Sequence, residues 1–320
     1  VPAIEVLYDQ CNDKNLRQAL AGVVKGLGSG KYLSKSLQGY PRIFNAGYIA
    51  MIRIGETTGR LQESIERLAD WTEADFKTTQ KVRSALVYPA FIVVMALALT
   101  AVFFYWVMPS LLGIFEGFKM ELPWITRALM WVTKQARNIW TWLGLFALIY
   151  EVRRQIGKQL TTESGRLFWY RISTKIPVLG RVLVATSLFR FSGALANLVE
   201  VGVPLVTAWT FAAEVSECPE LQQDSKRVKQ KMVEGQDLHE VLDPSIYPSQ
   251  FRQMLNVGAE SSRLGDMLMF VGQLYSVEVE RGLDLLAAML EPLFLSVMAL
   301  GVVTIILAII LPLYGLLNHM

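Results

Sequence analysis

Two long stretches of this chain carry no charge. No Asp, Glu, Lys or Arg occurs from Ser84 to Phe115, a run of 32, or from Pro292 to Asn318, a run of 27. About 20 consecutive apolar residues cross the hydrocarbon core of a bilayer as a helix, the one open form of backbone that satisfies its own polar groups there. Both runs exceed that length. The 31 basic and 28 acidic residues all lie elsewhere, so the sequence reads as an integral membrane protein with polar segments between its spans. Charged residues are 18% of the 320, against about 25% in an ordinary soluble domain.

The first span is expected over 87–111 and the third over 292–317. A second is expected over 128–150, where the apolar core from Asn138 to Tyr150 is short and Lys134 and Arg137 must snorkel to the interface. Basic residues set orientation. Lys77, Lys81 and Arg83 precede the first span, and Arg153, Arg154, Lys158, Arg166 and Arg171 follow the second. This places the N-terminus and residues 151–291 in the cytoplasm, and a short loop at 112–127 and the C-terminus in the periplasm. Arg127, Lys134 and Arg137 run against that bias.

The polar segments resemble each other. Val1-Pro2 matches Val203-Pro204, and Tyr40-Pro41-x-x-Phe44 matches Tyr247-Pro248-x-x-Phe251. Gly55-x-x-x-x-Arg60-Leu61 matches Gly258-x-x-x-x-Arg263-Leu264, and Pro89 and Pro109 match Pro292 and Pro312. The offset is 203 from Gly55 onward. Both segments space apolar residues at i, i+3 and i+4, the mark of amphipathic helices. The expected fold is an all-α polytopic membrane protein with two tandem cytoplasmic helical bundles, 1–86 and the later part of 151–291, and three transmembrane helices. A bundle-plus-span unit that starts inside ends outside, so the extra span is needed between the copies. The sequence opens at Val1 without an initiator Met, and the helix ending at Gly202 has no counterpart in the first copy. The first bundle is therefore expected to be N-terminally incomplete.

Chemical motifs are scarce. Gly26-Leu27-Gly28-Ser29-Gly30-Lys31 invites a phosphate-loop reading but has Lys25 and Tyr32 where Gly and Ser or Thr are required. His239 and His319 are solitary, and Cys11 and Cys218 read as free thiols. No catalytic residue, cofactor or metal site is expected. A net charge of +3 without a Lys/Arg block argues against nucleic acid. Two polar landmarks remain. Gly55-Glu56-Thr57-Thr58-Gly59-Arg60-Leu61 suits a tight turn between helices, or a contact with a partner. As an exposed turn, its substitution should cost within about 0.5 kcal/mol. Glu291-Pro292 suits a helix start, with Pro in the first turn and an acid favoured by the dipole, or a carboxylate at the membrane edge that meets a basic partner.

Gly55 to Ala69, GETTGRLQESIERLA, resembles the G-E-x-x-G-x-L motif of the inner-membrane platform proteins of type II secretion systems (protein F) and type IV pili. Tyr88-Pro89, Glu121-Leu122-Pro123, Thr162-Glu163-Ser164-Gly165-Arg166, Ile176-Pro177-Val178-Leu179-Gly180, the Phe191 to Leu205 segment and Glu291-Pro292 fit it in order, over the whole chain. The resemblance implies no catalysis. It implies a platform in the bacterial inner membrane that couples a cytoplasmic hexameric ATPase to the insertion or removal of pilin or pseudopilin subunits, contacts other inner-membrane assembly proteins and self-associates. The second copy departs from the motif: Ala259 stands where Glu56 stands in the first, leaving Glu260 as the nearest acid. A transporter or a membrane receptor is the competing class, but neither a midspan ionisable residue in the long runs nor a catalytic motif supports it.

Overall fold

A computed structural model of the chain describes residues 2–41, 43–109 and 124–318. Every regular element among them is helical. The first copy contains α1 (Pro2–Gln10), α2 (Lys14–Gly28), α3 (Leu33–Leu37), α4 (Ala46–Thr58) and α5 (Leu61–Val102), whose end passes into a π-helical segment, Phe103–Val107. Next come α6 (Trp124–Arg137), α7 (Ile139–Leu160), α8 (Glu163–Thr174) and α9 (Leu179–Glu200). The second copy supplies α10 (Leu205–Val215), α11 (Pro219–Val233), α12 (Leu238–Val241), α13 (Ser249–Glu260) and α14 (Leu264–Asn318).

One compact unit is built from Val1–Lys81 and Leu167–Gly282. Residues of both copies thus share one body. α4 packs against both α9 and α10. Arg190 of α9 donates to Asp75 of α5 at 2.7 Å, and Arg67 of α5 pairs with Glu200 at 3.5 Å. The centre is aromatic. Phe191, Trp209, Tyr247 and Phe251 are all fully buried, with ring centroids 4.9 Å apart for Phe191–Trp209 and 5.6 Å for Tyr247–Phe251. Of the helices apolar and long enough to cross a membrane, α9 is the exception in its surroundings: 72% of its apolar window is buried inside the protein. Its hydrophobicity is that of a core helix, wrapped on all sides.

The copies also match inside their helices. Ala19, Leu20 and Val23 face inward on α2, as Asp224, Ser225 and Val228 do on α11. Gly30 and Gly235 both take positive φ, 78° and 80°, closing α2 and α11 before the short α3 and α12. Their lengths differ between these landmarks, most clearly just before α4 and α13. The first turn of α4 is capped by Asn45, which accepts from Tyr48 N at 2.9 Å, whereas α13 begins directly after Pro248. The first copy has four residues more than the second between the Tyr-Pro pair and the packing glycine, which is the step in offset there.

The second unit is Val82–Arg166 with Leu283–Met320. The apolar windows of α5 and α14 have none of their residues buried within the protein. Phe91, Val94, Leu99, Leu293, Leu295 and Leu300 are all more than half exposed. Apolar surface this extensive needs a non-aqueous partner, and lipid supplies one. Two expectations are corrected here. Glu291-Pro292 is not a helix start, because α14 runs unbroken from Leu264 to Asn318. Likewise α5 passes through Pro89. Pro removes a helical hydrogen bond, but interior Pro is tolerated in membrane helices, where local adjustments re-satisfy the freed groups. The helix expected over 128–150 is two, α6 and α7, parted at Asn138, a residue type that favours helix starts. The expected loop at 112–127 falls mostly outside the described residues, as does the end of the first span beyond Pro109.

Candidate functional site

The segment Gly55–Leu61 joins α4 to α5, and its geometry follows from its residue types. Gly59 ends α4 in the left-handed conformation, φ 73°, which costs a residue without Cβ nothing. The Thr57 and Thr58 hydroxyls donate to the Ile54 carbonyl at 3.0 and 2.8 Å, turning polar groups back onto the helix end. Gly55 is buried where α4 meets the first turn of α5. A Cβ there would lie 2.5 Å from Ser64 Oγ and 3.0 Å from Leu61 Cα. The second copy repeats this contact. A Cβ on Gly258 would lie 3.1 Å from Leu264 Cα and 3.0 Å from Met267 Cβ. Both glycines therefore set how closely the paired helices approach.

Glu56 does not project as an exposed turn residue. Its side chain crosses to the N-terminus of α3. One carboxylate oxygen accepts from Leu33 N at 2.5 Å. The other accepts from Ser34 N at 3.1 Å and Ser34 Oγ at 2.6 Å. The first backbone N–H groups of a helix lack partners inside it, and a carboxylate there also meets the positive end of the helix dipole. The residue at the N-cap position, Tyr32, makes no side-chain cap and is 71% exposed. Glu56 takes over that work from 22 to 23 residues away. The expectation of a near-neutral substitution at an exposed turn is thereby overturned.

In the second copy the arrangement is rewritten. Ala259 cannot accept, and Glu260 accepts from Asn256 on its own helix at 2.9 Å and not from α12. At the start of α12 the residue equivalent to Tyr32 is Asp237, extended at φ −63° and ψ 135° without a side-chain cap bond. A carboxylate thus sits at the same helix end, supplied locally in one copy and from α4 in the other. Ser262 takes the left-handed role of Gly59, φ 56°. Arg263 pairs with Asp266 at 3.3 Å, whereas Arg60 is exposed at the start of α5 without an ion pair among the described residues. Glu291 and Pro292 lie on the exposed side of α14, away from the Gly55 turn in sequence and in a different unit. Pro89 likewise belongs to the second unit.

Sequence reasoning missed one cluster. Arg190, 18% exposed on its side chain, donates to Asp75 at 2.7 Å, to Glu217 at 2.6 Å and to Thr79 Oγ1 at 3.1 Å. Burial pulls the guanidinium pKa down, but Asp75 and then Glu217 more than reverse this and hold it above its ordinary value. Its partners lie 115 and 27 residues away, so no local pattern marks it.

These features sit in a recognisable frame. The family model described as "Type II secretion system (T2SS), protein F" matches residues 1–109 and 191–312, the same two stretches that the internal repeat relates. Similar relatives include type IV pilus assembly protein TapC of Aeromonas hydrophila, 26% identical over 99% of this chain and 76% of the relative. Type II secretion system protein F of Pseudomonas aeruginosa is 29% identical over 98% and 77%. Type 4 fimbrial assembly protein PilC of Pseudomonas putida is 30% identical over 98% and 78%. With the exposed apolar surfaces of α5 and α14 and a paired Gly-turn architecture at each copy beside the match over both stretches, the chain belongs to the type II secretion system protein F family of inner-membrane proteins.

Proposed function

We propose that this chain is the inner-membrane platform of a type IV pilus or type II secretion machine, and that it couples a cytoplasmic hexameric ATPase to the assembly of pilin or pseudopilin subunits. The observation that carries the reading is the construction of α5 and α14. Each helix begins in the compact polar unit, directly under its packing glycine, and ends in a bare apolar stretch without a break. A continuous helix is a stiff element, and displacement of its polar end moves its apolar end. Pilin subunits are met by the apolar stretches within lipid, and the ATPase by the polar unit. The relatives named for pilus assembly and for secretion match over nearly the whole chain, which supports the same task here.

In this reading the two copies are duplicated cytoplasmic modules, the chain crosses the membrane three times, and α6 and α7 together form the middle crossing. The N-terminus is cytoplasmic and the C-terminus periplasmic. Self-association and contacts with other inner-membrane assembly proteins complete the partner set, with no nucleic acid and no cofactor. The Gly55 turn acts by fixing α3 and α4 on α5, and Arg60 beside it is the exposed cation free to meet a partner. Reporter fusions test the topology. Fusions at Asp70 and Gln222 read cytoplasmic and one at Met120 reads periplasmic. A cytoplasmic reading at Met120 contradicts the three-crossing arrangement.

A further inference from the structure

We propose that α8 is a surface-lying membrane anchor that seats its outer face in an anionic lipid headgroup layer. A helix at the edge of a water-soluble body turns its apolar side chains toward the core. α8 leaves bulky apolar side chains on its outer side as well. Its less exposed residues are mixed: Leu167 and Trp169 are half-buried, and Tyr170 and Thr174, one turn apart, line a small pocket with Ser187 and Cys218. Its exposed residues include two bulky apolar ones. Phe168 is 58% exposed and Ile172, one turn on, 39%. In the turn that follows α8, Ile176 adds a further exposed apolar side chain at 47%.

Charge identifies what covers the stripe. From Arg153 to Arg181 there are seven basic residues and one acid, Glu163. Arg171 and Lys175 fall beside Phe168 and Ile172 on the exposed side. Arg171 gives one contact to Glu220 at 2.9 Å while its side chain stays 66% exposed, and Lys175 has no ion pair among the described residues. Apolar side chains flanked by Lys and Arg are the composition of helices that lie in the headgroup region, where anionic lipids attract juxtamembrane cations. The chain path agrees. Only Thr161 and Thr162 separate α8 from α7, whose first part, Ile139–Tyr150, is uncharged and exposes Leu143, Phe146 and Leu148.

The inference rests on the membrane location of the chain but not on its motor coupling. Photo-crosslinking tests it on the full chain in nanodiscs containing about one third phosphatidylglycerol. Benzoylphenylalanine replaces Phe168 in one sample, Tyr32 as an exposed aromatic control in a second, and Phe91 of α5 in a third. The expected result is a phospholipid adduct from positions 168 and 91 and none from 32. The yield at 168 falls at least threefold in pure phosphatidylcholine discs or at high salt, while that at 91 is unchanged. A position 168 yield no higher than that at 32, or an adduct from 168 only to protein, overturns the anchor. Equal yields in the two lipid compositions overturn the headgroup attraction. Failure at position 91 overturns the membrane-span reading of α5 separately.

Discussion

Replacing Glu56 with Ala removes three hydrogen bonds at once, to Leu33 N, Ser34 N and Ser34 Oγ. Loss of a helix cap costs about 1 kcal/mol, up to about 2. Ser34 is 4% exposed, so its hydroxyl is stranded as well, at about 1–3 kcal/mol for an unsatisfied buried polar group. The total is about 2–5 kcal/mol, concentrated on α3. The second copy suggests the repair. Tyr32→Asp places a carboxylate at the N-cap, as Asp237 does, on an exposed residue already in extended conformation at φ −60° and ψ 150°. It should return about 0.5–1 kcal/mol. Hydrogen–deuterium exchange of the full chain in detergent or nanodiscs reads this locally. At about 1.4 kcal/mol per factor of ten, amides of residues 33–38 should exchange at least about 20-fold faster in Glu56→Ala. The double variant should recover about a factor of three, and Glu56→Gln should lie between. Tyr32→Asp with Glu56 retained should gain little. Exchange in α3 within threefold of the parent would refute the capping argument and return Glu56 to the role of a partner contact.

Gly55→Ala and Gly258→Ala should each destabilise the polar unit by about 1–3 kcal/mol through overpacking, the first more because its Cβ meets Ser64 and the α5 backbone. Thermal unfolding of the purified variants checks the order. Asp75→Asn should cost about 1–3 kcal/mol by leaving Arg190 with one carboxylate fewer in a mostly buried place, and a double-mutant cycle with Arg190→Met should show coupling above about 0.5 kcal/mol. Residues 1–81 expressed alone should be partly unfolded or aggregate, because the α4 face that meets α9 and α10 is bared; a cooperative, monodisperse fragment would contradict this. Burial raises the Tyr275 phenol to about 12, so between about pH 10 and 12 the unfolded state loses its proton first. Stability then falls as pH rises across that window, and Tyr275→Phe should flatten the fall in pH-dependent unfolding.

Much of the fold is legible in sequence where the signal is local. The uncharged runs mark the outward surfaces of α5 and α14, because lipid exposure forbids charge along a whole segment. Helix caps such as Asp13, which accepts from Leu16 N at 2.8 Å, and the left-handed Gly59 declare themselves by residue type. Matching positions, at a constant offset from Gly55 onward, reveal the repeat. What escapes is set by distant contacts. The Glu56 bridge to α3 spans about twenty residues of chain and reads locally as an exposed turn. Arg190 meets acids far away in sequence, and α9 is as apolar as a span yet buried by neighbours from both copies. Pro89 and Pro292 look like helix starts because Pro is a local stop signal in water, while the apolar helices that hold them continue through.

The central claim is that this chain links a cytoplasmic motor to filament subunits. Its most direct test is affinity purification of the tagged full chain from native membranes after mild crosslinking, with quantitative mass spectrometry against an untagged strain. The account predicts enrichment of both a secretion-type ATPase and a pilin or pseudopilin. The Gly55→Ala variant, present at equal amount in the membrane, should lose the ATPase while retaining membrane insertion. Recovery of neither partner with the intact chain would contradict the account.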